Sequence, residues 1–393
     1  MDDQDSRGKS WIQQITPTLE NKGIKENDTQ PAMEKRLRYI KQVGLFLTAA
    51  LGHWNFGLSV SWPNTLVSDL QIDNLTLFGT ELQLEDWELD MTSSMVYIGG
   101  LLGYVLSGWL VDWLGRRQSM MVLVLPATVG WLLVALAVNS TMILIGRFTV
   151  GLAYAVLIVS VRTYLVEISD TAIRGVAGLA TEVMMGIGSI TAIGLGISLS
   201  WYHIAFVSTG QILIFGLFIV PLLPESPSYL LVKGKEKKAR KVLLYLRGKN
   251  VNLEEEIMQL KAENECNGEK GWKILAKSNI LKKCVIVFGL FFISNFCGSL
   301  VIRTNALRML QTSGLSLDKE LSTLFIFVLS LSGVISQALI IDRIGRRTCL
   351  VLSLNLLLIA YTVLGSYMFL QSEEVEAIYL LPGGNETTPE VNR

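Results

Sequence analysis

Apolar runs of about twenty residues recur along the chain, separated by short polar turns. A bilayer core ~30 Å thick is crossed by ~20 helical residues. The pattern therefore predicts nine spans, at roughly 43–63, 92–112, 119–138, 142–163, 176–197, 203–223, 284–304, 321–341 and 349–370. Residues 1–40 are polar and charged, show no periodicity beyond a short basic cluster at Lys35, Arg36, Arg38 and Lys41, and read as an N-terminal tail. Residues 224–282 form a polar interruption between the sixth and seventh spans. Within it, Lys235–Arg247 and Leu253–Glu263 read as short amphipathic helices, with Leu253, Ile257 and Leu260 at helical spacing. The interruption reads either as a solvated linker or as a latch lying across one face. Residues 371–393 hold one short apolar patch, Ala377 to Leu381, and predict no further span. The expected organisation is thus a tail (1–40), a six-helix bundle (41–223), a helical linker (224–282), a partial bundle of three helices (283–370) and a tail (371–393).

One short stretch occurs twice. Gly108 to Arg117, GWLVDWLGRR, closes the second span, and Ala338 to Arg347, ALIIDRIGRR, closes the eighth. Asp112 matches Asp342, Gly115 matches Gly345, and Arg116-Arg117 match Arg346-Arg347, all 230 residues apart. A tight charged turn repeated half a protein apart predicts two related membrane bundles.

Charge then sets the orientation. Lys35 to Lys41, Arg116-Arg117, Arg174, the Lys/Arg-rich stretch 233–248, and Arg343, Arg346 and Arg347 fall on one side under this count. Basic loops mark the cytosolic side, so the N-terminus is expected there. Asn74 and Asn385 stand in glycosylation sequons on the opposite side. Composition agrees: 50% of residues are hydrophobic and only 17% charged, against ~25% charged in a soluble domain. Lys+Arg and Asp+Glu balance at 34 each, which points to no nucleic acid and no acidic partner. Four scattered cysteines show no CxxC spacing, so free thiols and no metal site are expected. No nucleophile–base constellation stands in the loops, which argues against an enzyme, and nothing calls for a cofactor. Glycines crowd the second span (Gly99, Gly100, Gly103, Gly108) and the fifth (Gly186, Gly188, Gly194, Gly196). Small residues let membrane helices approach closely.

Together these features resemble the major facilitator superfamily, and its sugar-porter branch in particular. Gly108-xxx-Asp112-xx-Gly115-Arg116-Arg117 is similar to the family's loop between helices 2 and 3. Gly146-Arg147-Phe148 with Gly151 resembles the start of its helix 4, and Tyr164-xx-Glu167 with Arg174-Gly175 the end of that helix and the next loop. Pro224-Glu225-Ser226-Pro227-Ser228-Tyr229-Leu230 resembles the PESPxxL signature after helix 6. Ser59 to Pro63, SVSWP, is similar to the end of helix 1 in insect facilitated trehalose transporters. The resemblance covers about residues 41–370 and implies an all-α, polytopic fold of two bundles. It further implies facilitated transport of a sugar or polyol (trehalose, glucose or similar) across the cell membrane by alternating access. A monomer embedded in lipid is expected.

The residues themselves suggest two sites. Asp112, Arg116, Arg117, Glu167, Arg174 and Glu225, with Asp342, Arg346 and Arg347 in the second copy, are expected to form a network that closes the cytosolic face. Near mid-membrane the polar candidates for substrate contact are His53, Asn55, Glu182, Asn295 and Asn305. For His53 and Asn55 the plain alternative is an interhelical hydrogen bond, and for Asn305 an interfacial position. Two departures from the family coincide: Arg162 stands where it has proline and Glu182 where it has a sugar-binding glutamine. At 1.5 Å per residue they lie about 7 and about 12 Å in from the helix ends, so a pair between them is expected; the alternative is an unpaired Glu182 that titrates and binds a proton or a cationic substrate. The family's amide-rich helix-7 segment is replaced by Ser294 to Leu300, and only three helices follow the linker where six are implied. A C-terminally truncated transporter is expected. The competing reading is a diverged, transporter-like protein without sugar transport: a sensor, a partner subunit or a remnant. A seven-helix receptor is opposed by the internal repeat.

Overall fold

The computed structural model describes residues 32–72, 75–170, 173–248, 253–266, 278–298, 301–302, 305–307, 309 and 319–380. Asn74 and Asn385 lie outside them. Among the described residues every named element is helical, with one isolated bridge between Leu75 and Glu81: α1 (Ala32–Ile72), α2 (Asp86–Leu114), α3 (Arg116–Val122), α4 (Val124–Ala135), α5 (Ser140–Ile168), α6 (Arg174–Gly196) and α7 (Trp201–Ile214), which runs on through a π turn to Leu222. Then come the short helices α8 (Pro227–Val232), α9 (Glu236–Arg247) and α10 (Leu253–Cys266), followed by α11 (Ser278–Phe296), α12 (Lys319–Ile344) and α13 (Arg346–Leu380). The chain divides into two compact units, Met1–Leu331 and Ser332–Arg393, with the boundary inside α12.

Among the described residues eight stretches are long and apolar enough to cross a membrane: Tyr39–Leu70, Asp86–Leu114, Arg116–Ala135, Ser140–Ile168, Arg174–Gly196, Trp201–Leu222, Leu321–Ile341 and Arg346–Tyr367. Of the span expected at 284–304, residues 299–300 and 303–304 lie outside the described residues. Its helix ends at Phe296, and Gly298 adopts φ 78°, a left-handed conformation that stops a helix. Two expected boundaries also shift. Helix α1 already begins at Ala32, inside the expected tail, and α13 continues to Leu380, past residue 371.

Local chemistry explains the helix ends that matter. Asn139 caps α5 by accepting from Met142 N at 3.0 Å. Glu85 and Glu88 form a capping box on α2. Gly115 takes φ 94° between α2 and α3, and Gly345 takes φ 90° between α12 and α13. Each glycine N–H bonds four residues back at 3.0 Å, and each carbonyl accepts from four residues on at 3.1 Å. The repeated motif is thus the same turn twice.

The first bundle is held by glycine crossings. A methyl group on Gly99 would overlap the Phe148 carbonyl, and one on Gly151 the Val96 carbonyl, so α2 and α5 touch backbone to backbone. Gly57 and Gly188 meet the Met185 and Trp54 carbonyls in the same way between α1 and α6. Exchanging spans 1–3 with spans 4–6 converts one pair into the other, as an inverted repeat within a bundle requires. Gly151→Ala is expected to lower stability by about 2–3 kcal/mol, because backbone cannot yield to an added carbon. Gly194 has open space around it, so Gly194→Ala should change stability by under about 0.5 kcal/mol. Thermal unfolding of the detergent-solubilised variants checks both.

The core of the bundle is aromatic and polar together. Trp62 packs edge-on against Trp131 and Trp201, with centroids 6.3 and 6.2 Å apart. Its indole donates to the Trp201 carbonyl at 3.0 Å. These rings tie α1, α4 and α7 together.

Candidate functional site

The duplicated motif sits at the end of the bundle that carries the basic loops. Arg116 is nearly buried and donates to Glu167 Oε1 from Nε at 3.1 Å and Nη2 at 2.8 Å. The other Glu167 oxygen accepts from the Ser226 hydroxyl. Glu225 Oε1 takes the backbone N–H of Arg117 at 3.2 Å and of Ser226 at 3.0 Å, while Arg117 Nη2 donates to the Pro221 carbonyl at 2.8 Å. The Arg116 guanidinium also lies 5.6 Å from the Tyr229 ring centre. Tyr229 donates to the Trp113 carbonyl at 3.1 Å. Its phenol is pushed above the ordinary range by desolvation and then by the Glu225 charge. Asp112 stands 3.6 Å from Arg116 with a side chain 79% exposed, where an ion pair contributes little.

This geometry places the first-copy members of the expected network. Every described partner lies between Asp112 and Tyr229, so the network joins the α2–α3 turn, the end of α5 and the start of the linker. It braces the ends of α2 and α5 to the start of the linker, with Arg116 on one Glu167 oxygen and Ser226 on the other. Arg174 is exposed and has no ion pair among the described residues, since Arg116 fills the place beside Glu167. Arg346 and Arg347 are likewise exposed without an ion pair among the described residues, and the Asp342 side chain lies outside them.

The linker is fastened to the same face. Arg247, at the end of α9, pairs with Asp170 and with Glu256 at 2.9 Å, and donates to the Ile168 carbonyl at 3.2 Å. Gln42 bonds the Leu246 carbonyl at 3.1 Å and accepts from Asp170 N at 3.2 Å. Nothing in the composition of the linker singles out Arg247 from its neighbours.

At mid-membrane, Arg162 Nη2 lies 2.7 Å from Glu182 Oε1, with side chains 53% and 39% exposed. The stripe of α6 that carries Glu182 continues through Gly186, Ile190 and Ile193. Gly186 faces Leu331, and Ile193 with Ile190 packs on Ala306, Phe327 and Leu324. Asn64 on α1 accepts from Leu307 N at 3.2 Å. The first bundle therefore meets the later segments toward the end away from the basic loops. One turn nearer those loops, at Glu182, the surface is open, and α11 is exposed along its length among the described residues.

The other substrate candidates do not line this opening together. Asn55 is fully buried, donating to the Ser208 carbonyl at 2.7 Å and to Gln211, and accepting from Trp131 at 3.0 Å. It is an interhelical tie. His53 is buried with neither ring nitrogen hydrogen-bonded. Asn295 and Asn305 turn their amides onto the Phe291 and Val301 carbonyls of their own segments, at 2.8 and 3.2 Å. A residue the site reading missed is Arg147. It is wholly buried, donates to the Ser59 and Thr92 carbonyls at 2.9 and 3.0 Å, and lies 5.2 Å from the Trp62 ring centre. The signal was present: an arginine inside an apolar run must find partners.

Fold and site define a multi-pass, all-helical membrane protein of the major facilitator type. Residues 45–381 match the family described as "Sugar (and other) transporter", and the chain belongs to that family. It is 28% identical over 363 residues to the facilitated trehalose transporter Tret1 of Apis mellifera ligustica, covering 91% of this chain and 71% of that one. It is also 28% identical to the proteins of that name from Bombyx mori, covering 83% of this chain and 64% of the relative, and from Drosophila virilis, covering 85% and 37%. Among solved structures it resembles a double-tryptophan mutant of XylE, with a TM-score of 0.67 at 19% identity, covering 78% and 70% of the two chains. It also resembles the proton:xylose symporter XylE bound to 6-bromo-6-deoxy-D-glucose, with a TM-score of 0.64 at 20% identity, covering 77% and 69%.

Proposed function

We propose that this protein carries a neutral sugar, such as trehalose or glucose, across the cell membrane by facilitated transport with alternating access. The basic loops and the N-terminus face the cytosol, and Asn74 and Asn385 face outside. The observation that carries the reading is the one-sided contact. The first bundle meets Leu307, Phe327 and Leu331 away from the basic loops, while Arg162 and Glu182 stand open toward them.

In this reading the Arg116–Glu167–Ser226 brace keeps the first bundle rigid, so that it rocks as one body and carries the linker with it. The Arg162–Glu182 pair is net neutral and presents donors and acceptors together. It suits a polyhydroxyl substrate and disfavours a charged one, whose charge would stay uncompensated in the cleft. The test is uptake of radiolabelled trehalose and glucose by cells expressing the full chain, with surface copies counted by biotinylation. Saturable uptake of at least one sugar is expected. Its absence at good surface expression overturns the proposal.

A further inference from the structure

The linker holds a second feature that the transport reading does not use. Two sets of cations stand out on its described helices α9 and α10. Arg240 pairs with Glu254, Lys261 with Glu236 at 2.7 Å, and Arg247 with Asp170 and Glu256. These hold the linker helices to one another and to the bundle. Lys237, Lys238 and Lys241 are exposed and have no ion pair among the described residues.

Helical geometry shows where the unspent lysines point. At 100° per residue, Lys237, Lys238, Lys241, Leu244 and Tyr245 fall within an arc of roughly 120° on α9. Ala239, Leu243 and Leu246 are buried on the opposite arc. Leu244 is 39% and Tyr245 54% exposed, so two apolar bodies share the outward face with the lysines. A purely solvated face gives no reason for them. Lysines interleaved with exposed apolar groups are the pattern of a helix lying in a membrane interface.

The fastening of α9 fixes its level. The sixth span ends at Leu222 and α8 begins at Pro227. The far end of α9 is bonded to Gln42 and to the Ile168 carbonyl, at the ends of the first and fourth spans. The helix is therefore held where the spans leave the bilayer.

We propose that the outward face of α9 is a docking surface for the headgroups of anionic phospholipids in the leaflet beside the basic loops. Lys237, Lys238 and Lys241 meet the phosphate and carboxylate charges, and Leu244 and Tyr245 rest on the glycerol and upper acyl region. The proposal rests on the membrane placement of the chain and not on sugar transport. Near an anionic surface each lysine contributes about fivefold to binding, so three together give on the order of a hundredfold.

The purified full chain in neutral detergent, titrated with fluorescent phosphatidylserine and with fluorescent phosphatidylcholine, tests it. Phosphatidylserine is expected to bind at least tenfold more tightly, with the preference shrinking in about 0.5 M salt. The K237Q/K238Q/K241Q variant should lose that preference, while K282Q/K283Q, which removes lysines outside this face, should keep it. An unchanged thermal midpoint in phosphatidylcholine micelles shows that the triple variant is folded. Equal binding of the two lipids by the wild type, or a preference that survives in the triple variant, overturns the proposal. Displacement of phosphatidylserine by inorganic phosphate at comparable concentration also overturns it, by assigning the face to free anions.

Discussion

Arg116→Ala is expected to destabilise the purified protein by about 3 kcal/mol and to reduce its surface level several-fold, whereas Arg174→Ala leaves both nearly unchanged. Arg116 makes two hydrogen bonds to a Glu167 oxygen at 2.8–3.1 Å, and the pair is only 14% and 16% exposed. Removing one partner of a buried pair leaves an uncompensated charge and costs ~3–5 kcal/mol. The residual exposure here places the loss at the lower end. Glu167 would keep only the Ser226 hydroxyl, and the guanidinium over Tyr229 would be gone. Arg174 is exposed and unpaired among the described residues, so it contributes at most through long-range charge. Thermal unfolding in detergent, with surface biotinylation, measures both effects. Equal damage from the two substitutions would show that the basic face depends on total charge and not on this geometry.

The second large effect is expected at the mid-membrane pair. Arg162→Glu and Glu182→Arg should each lose most surface expression, because each leaves two like charges inside a membrane span. A single charge there costs roughly 2.5–3.5 kcal/mol even on lenient scales. The double exchange restores an opposite pair and should recover at least half of wild-type expression. The exposure of both side chains lowers the penalty through water in the cleft, so each single variant should retain a measurable fraction. A double exchange worse than either single variant would show that the two residues act independently.

Much of this was legible in the sequence, and the limits have physical causes. The twenty-residue apolar period located the spans, because lipid allows little else. The matching depths of Arg162 and Glu182 anticipated neighbours, because two opposite charges on consecutive helices have few other partners. The duplicated turn was readable because glycine at a left-handed position leaves a fixed spelling, and both copies take φ near 90°. What the spelling could not give was direction. Asn55 is polar and mid-span, yet its bonds run to Ser208, Gln211 and Trp131 inside the bundle. Glu167, Arg116 and Arg174 were expected in one network, and only the fold tells which arginine reaches the carboxylate: Arg116, beside the turn at Gly115. The helix of the seventh expected span ends at Phe296, two residues before the left-handed Gly298, and the twenty-residue apolar period does not register such an end.

Counterflow in proteoliposomes tests the central claim most directly. Vesicles containing the purified full chain are preloaded with unlabelled trehalose or glucose and diluted into a trace of the labelled sugar, with no ion or proton gradient. An alternating-access carrier predicts a transient accumulation of label above its equilibrium level, because internal sugar speeds the return of the cleft to the outside. It also predicts the loss of that overshoot with Arg116→Ala. Simple equilibration without overshoot, at the rate of protein-free vesicles, would contradict the account.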